Sequence, residues 1–356
     1  MKENGIYAAT KIFTGLEWLE HHSIIVEGGL IKEILPTQKL IAPITKTFEC
    51  LIPAFIDLQI YGAYGKLFSV YPEVDALQKL HGYCADGGAN HFLPTVATNT
   101  NKVIHNCIDA VKEYWQKGGE GCIGLHIEGP WINKSKRGAH QESSIHAPTL
   151  KEAKGLLEYG RDVIKMVTLA PELCSKDIIE LIKSYGIMIS AGHSNASYQE
   201  SIQCFNDGLI TSITHLYNAM SPLQHREPGL VGAAFNHQTV MASIIPDGYH
   251  VDFAAVRIAK KMMGKRLFVI TDAVTETNEG FYPHQLSGDK YESNNILSGS
   301  ALNMKKAVQN LVQFCAIDLD EALRMCSLYP AQALNLGNEL GMINKGYRAD
   351  FIEWID

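Results

Sequence analysis

Eight short apolar stretches, each running into polar or titratable residues, set the rhythm of this chain, and nearly all are separated by helix-patterned segments. They read PAFIDLQIYG (53–62), ANHFLPTVAT (89–98), CIGLHIEGPW (122–131), VIKMVTLAPE (163–172), GIMISAGHSN (186–195), SITHLYNAM (212–220), MASIIPDGYH (241–250) and LFVITDAV (267–274). Consecutive strands joined through helices run parallel, and eight such repeats are the number that closes a (β/α)8 barrel of the TIM type. The expected class is α/β. In such barrels the reacting groups stand just past the carboxyl ends of the strands. Glu128, His193, His215 and Asp272 fall there, on the third, fifth, sixth and eighth stretches. That arrangement suits a metal-dependent hydrolase.

At 356 residues the chain exceeds the roughly 250 of one barrel, and the surplus lies at its ends. Residues 1–52 show short alternating stretches, as in HSIIVEGGLIKEIL, where Gly28-Gly29 suits a hairpin. The barrel is expected over 53–336, and residues 337–356 return to glycine-punctuated strand character. The two end segments are expected to pack as one discontinuous small β domain. Within the barrel, segments such as KVIHNCIDAVKEYWQKG repeat apolar residues at three- and four-residue intervals, and 303–336 reads as two helices. The crossover after His215, SPLQHREPGLVGAAFNHQ, is irregular, with two prolines and two glycines. A long irregular loop at the mouth of a barrel is more often functional than spare.

A hydrophobic content of 46% with 19% charged residues describes a folded globular enzyme rather than a disordered chain. The formal net charge of −7, with no basic stripe, argues against a nucleic-acid partner. No apolar run reaches membrane-spanning length and the amino terminus lacks a signal-peptide core, so a soluble cytoplasmic protein is expected. The eight cysteines form no CxxC pair and read as buried thiols.

Zinc catalysis uses three protein ligands and keeps one position open. Glu128, His193 and His215 supply them, and Gly129 and Gly192 beside them allow close backbone approach. Asp272, in VITDAV, is the natural acid/base, since a carboxylate beside an activated water can take its proton and later protonate a departing amine. His126 shares strand parity with Glu128 and should point into the barrel one layer deeper. A second group suits a substrate. Lys134, Lys136 and Arg137 precede His140, the sixth stretch leads to Asn218, Ala219 and Arg226, and the seventh ends in Asp247, Gly248, Tyr249 and His250. Arg and His at a barrel mouth could hold a phosphate, whereas Lys134 and Lys136 read as solvated. Another amide hydrolase of the same fold, or a non-catalytic scaffold, stays open at this point; the intact metal set argues against the scaffold.

The runs GLHIEGPW, KRGAHQ, VTLAPE, SAGHSNA, THLYNAM, REPGLVGAA, DGYHVD, TDAV and LSGSAL follow one another in this order. Through them nearly the whole chain resembles the N-acetylglucosamine-6-phosphate deacetylase family of the amidohydrolase superfamily. The resemblance implies hydrolysis of the N-acetyl group of an amino-sugar 6-phosphate, giving acetate and the free amino-sugar phosphate. It implies metal ligation by Glu128, His193 and His215, with Asp272 as acid/base and His140 polarising the acetyl carbonyl. Substrate contacts are implied for Ala139, His140, Asn218, Ala219, Arg226 and His250, and for Leu297, Ser298 and Gly299. Arg226 and His250 would serve the sugar-phosphate end. A homodimer is implied too, with one phosphate contact open to the partner chain.

Two departures from the family pattern shape the expectations. Many amidohydrolases carry a His-x-His pair at the end of the first strand that holds a second metal, where this chain reads Asp57-Leu58-Gln59-Ile60-Tyr61-Gly62. One divalent ion per chain is therefore expected, Zn2+ first, with Fe2+, Co2+ or Mn2+ able to use the same ligands. The sequence reads IEWID where the family usually adds a final strand or two, so the small β domain is expected to be trimmed or completed differently.

Overall fold

The computed structural model describes residues 2–293 and 296–355. Its first four strands make a sheet that the other end of the chain extends. β1 (Gly5–Phe13), β2 (Trp18–Glu27) and β3 (Leu30–Pro36) form an antiparallel meander, and β4 (Lys46–Pro53) runs parallel to β1. The turn between β2 and β3 falls at Gly28-Gly29. The chain then enters the barrel.

β5 (Phe55–Ile60) is buried along its whole length, as a strand must be when helices cover one face and packed side chains the other. A two-stranded ladder, β6 (Gly62–Ala63) with β7 (Lys66–Leu67), leads to α1 (Val74–Asp86). Then follow β8 (Ala89–Ala97), α2 (Asn101–Gln116), β9 (Leu125–Glu128), α3 (Leu150–Tyr159), β10 (Ile164–Leu169) and α4 (Lys176–Ser184). The second half comprises β11 (Met188–Ala191), α5 (Tyr198–Asn206), β12 (Ser212–Ile213), α6 (Gly229–Asn236), β13 (Met241–Ile244), α7 (Phe253–Met263) and β14 (Leu267–Val269). These strands form one eight-stranded sheet in the order β14-β13-β12-β11-β10-β9-β8-β5, every neighbour parallel. Local chemistry fixes several helix starts. Thr100 caps α2, Ser197 and Glu200 form a reciprocal capping box on α5, and Asp252 caps α7.

The first and last strands close the ring. Ile60 bridges Ala273 in parallel register, and the Asp272 amide donates to the Gln59 carbonyl at 3.0 Å. Beneath this seam the buried Asp57 carboxylate accepts from the amides of Thr271 and Gln59, each at 3.2 Å, and from the Thr271 hydroxyl. Burial pushes the Asp57 carboxyl up to about 6 although these hydrogen bonds oppose it.

Two features depart from the sequence reading. A three-stranded antiparallel sheet follows β14, made of β15 (Gln285–Ser287), β16 (Lys290–Ser293) and β17 (Ile296–Ser300). Its first strand is exposed throughout, so no apolar alternation marks it; only the turn at Gly288-Asp289 does. The segment expected as two helices forms three: α8 (Met304–Cys315), α9 (Leu319–Cys326) and α10 (Leu328–Ala333). Pro330 has no amide hydrogen and its ring would clash with a carbonyl four residues back, so α9 cannot run on and the chain breaks at Ser327.

The last strand, β18 (Phe351–Glu353), returns to pair antiparallel with β4 and completes the small sheet. That sheet has its own core, with Ile12, Ile24, Val26, Ile31, Phe48 and Phe351 among its buried residues. Asp350 ties it to the barrel floor, accepting from Asn90 Nδ2 at 2.6 Å and lying 2.6 Å from His91 Nε2. Cys84, Cys107, Cys122 and Cys326 are buried free thiols. Among the described residues no helix is long and apolar enough to cross a membrane.

Phe351 is fully buried and packs edge-on against Tyr7, 5.4 Å between ring centroids. Phe351→Ala should therefore cost about 3–5 kcal/mol in chemical unfolding and open the small sheet to protease before the barrel. Urea melts with limited proteolysis would check both.

Candidate active site

Glu128 is the last residue of β9, while His193 and His215 each stand two residues past the ends of β11 and β12, and Asp272 three past β14. Three of these four take a backbone conformation that side chains rarely adopt, with φ of 48° at His193, 38° at His215 and 55° at Asp272. Such residues cost about 1–3 kcal/mol each and cluster where function needs them. Gly192 makes room for the turn, since a Cβ there would sit 2.6 Å from Thr168 Cγ2 and 2.9 Å from Thr214 Cβ.

The donor atoms converge. His215 Nε2 lies 3.0 Å from Glu128 Oε1 and 3.1 Å from His193 Nε2, and His193 Nε2 lies 3.4 Å from the same Glu128 oxygen. Three ligands of a tetrahedral ion with bonds of about 2.0–2.1 Å stand roughly 3.3–3.4 Å apart, close to this triangle. His193 Nδ1 faces the Lys136 carbonyl at 2.8 Å, which can only accept, so Nδ1 carries the proton and Nε2 offers its lone pair. The residues fit a divalent cation. His140 also falls in the cluster, with donor atoms of Glu128, His140 and His193 all within 4.8 Å of one another. Its ring is otherwise engaged, Nδ1 with Thr98 Oγ1 at 2.7 Å and Nε2 with Glu128 Oε2 at 3.2 Å. The tighter set is Glu128, His193 and His215.

Burial alone would raise the Glu128 carboxyl, but the facing imidazoles of His140, His193 and His215 outweigh it and hold the group well below the usual range. Asp272 is the opposite case. Burial, then the charges of Glu128 and Asp247, push its carboxyl well above the ordinary value. Asp272 Oδ1 accepts from Gln59 Nε2 at 2.7 Å, and Oδ2 lies 3.8 Å from His250 Nε2, whose ring is held through Nδ1 by Asp247 at 2.6 Å. Burial and then His193 push His140 down to about 4, so its imidazole is neutral at neutral pH. Below the cluster His126, driven down to about 4 by burial, bonds Thr168 Oγ1 at 2.8 Å as one member of a buried hydroxyl layer. A cation site beside a buried carboxyl that can carry a proton is equipped for hydrolysis.

The comparisons with known proteins agree with this chemistry. The amidohydrolase family model matches residues 50–355, and the NagA composite domain model matches residues 6–47. The chain belongs to the amidohydrolase family. It is 34% identical to an N-acetylglucosamine-6-phosphate deacetylase of Haemophilus influenzae over 350 residues, 94% of this chain and 91% of the relative. It is 29% identical to an N-acetylgalactosamine-6-phosphate deacetylase of Escherichia coli O157:H7, over 98% of this chain and 94% of the relative. The crystal structure of N-acetylglucosamine-6-phosphate deacetylase from Pasteurella multocida superposes with a TM-score of 0.91 at 33% identity, covering 97% of this chain and 94% of that one.

In this amidohydrolase the cation cluster forms the floor of a cleft of about 190 Å³. Of the residues expected to touch substrate, Ala139, His140, Asn218, Ala219 and His250 line it. Leu297 and Ser298 reach it from β17. Gly299 does not line it; a Cβ there would meet Val274 Cγ1 at 2.5 Å, so the glycine lets β17 lie against the cleft wall. Arg226 is exposed and stands outside the cleft of its own chain. His250 stands next to Asp272, its Nε2 3.8 Å from Oδ2. Sequence reasoning missed Tyr282 and His284, which enter from the segment leading into β15. Tyr282 donates to the Thr98 carbonyl, and His284 bonds Ser298 Oγ at 2.8 Å. It also missed that Gln59 and Tyr61 bond the acidic pair directly.

Protein purified without added metal should carry close to one equivalent of divalent ion. His215→Ala should lose it and His140→Ala should keep it, because only His215 closes the short triangle. Mass-spectrometric metal analysis of the three proteins would decide between the two donor sets.

Proposed function

We propose that this amidohydrolase removes the acetyl group of N-acetylglucosamine 6-phosphate, releasing acetate and glucosamine 6-phosphate in amino-sugar catabolism. The observation that carries the reading is the triangle of Glu128, His193 and His215 with Asp272 beside it, in a chain whose full-length relatives are named as deacetylases of amino-sugar phosphates.

A divalent ion on Glu128, His193 and His215 supplies Lewis-acid polarisation and lowers the pKa of water; two imidazoles and a carboxylate suit Zn2+, and Fe2+, Co2+ or Mn2+ share the preference. Asp272 takes the proton of the attacking water and delivers it to the amide nitrogen as the C–N bond breaks. Gln59 holds Oδ1 of Asp272, which leaves Oδ2 for that exchange. The neutral His140, whose Nε2 faces Glu128 Oε2 in the free site, would turn that N–H to the oxyanion that develops on the acetyl oxygen. Asn218 and the backbone around Ala139 and Ala219 orient the sugar.

The phosphate poses a charge problem. Among the described residues lining the cleft there is neither Lys nor Arg, while Glu128 and Asp272 are both there. A dianion bound at such a site needs a cation from outside its walls. Arg226, on the irregular loop after β12, exposed and outside the cleft of its own chain, is the group we assign to it, delivered from the partner subunit of a homodimer. We place the enzyme in the cytoplasm, since a phosphorylated sugar does not cross a bilayer unaided.

Acetate release from N-acetylglucosamine 6-phosphate and its galactosamine epimer, with metal content measured on the same sample, tests the reading. No release from either would end it. Asp272→Asn keeps the shape but accepts no proton, so kcat should fall about 10²–10⁴-fold while metal content stays at the parent level. Arg226→Met should lose a charge-assisted contact of about 1.5–3 kcal/mol, raising KM for the phosphorylated sugar roughly tenfold or more. The slow turnover of unphosphorylated N-acetylglucosamine should barely change. Equal losses on both sugars would assign Arg226 to the fold.

A further inference from the structure

Glu128 and Asp272 are buried carboxylates from the ends of two barrel strands that are not neighbours, and one amide touches both. Gln59 Nε2 lies 2.7 Å from Asp272 Oδ1, 2.8 Å from the Tyr61 hydroxyl and 3.2 Å from Glu128 Oε1, so its two hydrogens serve three acceptors and the longer contact to Glu128 is a shared one. Tyr61 in turn donates to Glu128 Oε2 in a short hydrogen bond. The orientation of the amide is dictated by its neighbours. Turned over, its oxygen would face Asp272 Oδ1 with lone pair against lone pair; as placed, that oxygen is buried without a partner. The Glu128 carboxylate is thus divided. Oε1 faces the His193 and His215 nitrogens, and Oε2 faces Tyr61 and His140.

We infer that Gln59 and Tyr61 are positioning residues: a neutral hydrogen-bonded bridge that locks Glu128 so that one oxygen alone faces the cation site, and holds Asp272 at a fixed distance from it. Two like charges side by side in a buried site repel and turn apart unless donors sit between them. The bridge supplies those donors without adding charge, so an incoming ion meets a single carboxylate oxygen. The proposal rests on the cation-site reading above, and its first readout needs no substrate.

Tyr61→Phe removes one oxygen from a half-buried ring and should fold as the parent does. Zinc retention against a competing chelator should weaken about 10–100-fold, as loss of a hydrogen-bond partner behind a metal ligand does. Gln59→Met, of similar volume but without donors, should lower kcat roughly tenfold or more with KM within about threefold, the mark of an interaction that acts in the transition state. The two changes combined should lose less than the product of the single losses, because either one already breaks the bridge. Thermal melting reports on the fold separately. Zinc retention in Tyr61→Phe within about twofold of the parent, with the melting temperature unchanged, would overturn the proposal; so would strictly additive losses. If no amino-sugar phosphate is turned over, the chelator competition still reads the bridge.

Discussion

An eight-stranded parallel sheet closes only if its first strand meets its last, and in this chain that join is made over few residues. β14 ends at Val269, and contact with β5 runs through the segment just beyond it. The Asp57 carboxylate gathers two amides and a hydroxyl there, and the Gln59 carbonyl receives the Asp272 amide. A buried carboxyl with a raised pKa is an expensive way to join strands. What it secures is register. Slipping β5 by one residue would turn Gln59 out of the barrel and put an isoleucine or leucine in its place. Closure and catalysis therefore share one seam, since the residues that fix the ring also set Gln59 beside Asp272.

The same economy governs the strand ends. His193, His215 and Asp272 leave their strands through left-handed backbone, which aims their side chains back across the barrel axis. Isolated, each turn would relax. Here the packed barrel beneath over-determines them, from the apolar layers around Ile127, Ile189 and Ile213 to the chain of Thr168, Thr214 and Ser190 hydroxyls linked at 2.7 and 2.6 Å. The hydroxyl layer matters because it is polar, fully bonded and small. Larger apolar groups would push against Gly192, and unpaired ones would leave holes under His193.

How much of this was legible in the sequence depends on the range of the interaction. The barrel repeat is local, so apolar runs such as MISA and LHIE stand out in a row of letters, and titratable residues at their ends mark the site. The split of the small sheet between both ends was readable as well, because each end alternates over a few residues. The β15–β17 sheet was not: its strands are three to five residues long, the first is wholly exposed, and the buried positions of the other two are Ser293, Gly299 and Ser300, so no apolar alternation patterns them. Tyr282 and His284 came with it. The break between α9 and α10 was signalled by Pro330 and passed over, because apolar residues continue at helical spacing on both sides.

The bridge formed by Gln59 and Tyr61 shows the other limit. Read as letters, both residues register only as histidines that are missing, and a missing ligand says nothing about what replaces it. Their role appears once the barrel closes and brings positions 59, 128 and 272 within hydrogen-bond reach, separations of 69 and 213 residues along the chain. It also follows from charge. The Glu128 carboxyl is held well below the usual range by three imidazoles against the effect of burial, while burial, and after it the charge of Glu128, pushes the Asp272 carboxyl up. Two carboxyls whose environments drive their proton affinities apart divide the labour of ligand and proton carrier between them. A charged bridging group would erase that difference by favouring the same form of both. A neutral amide and a phenol preserve it, which is a physical reason for those two residue types at the end of this strand.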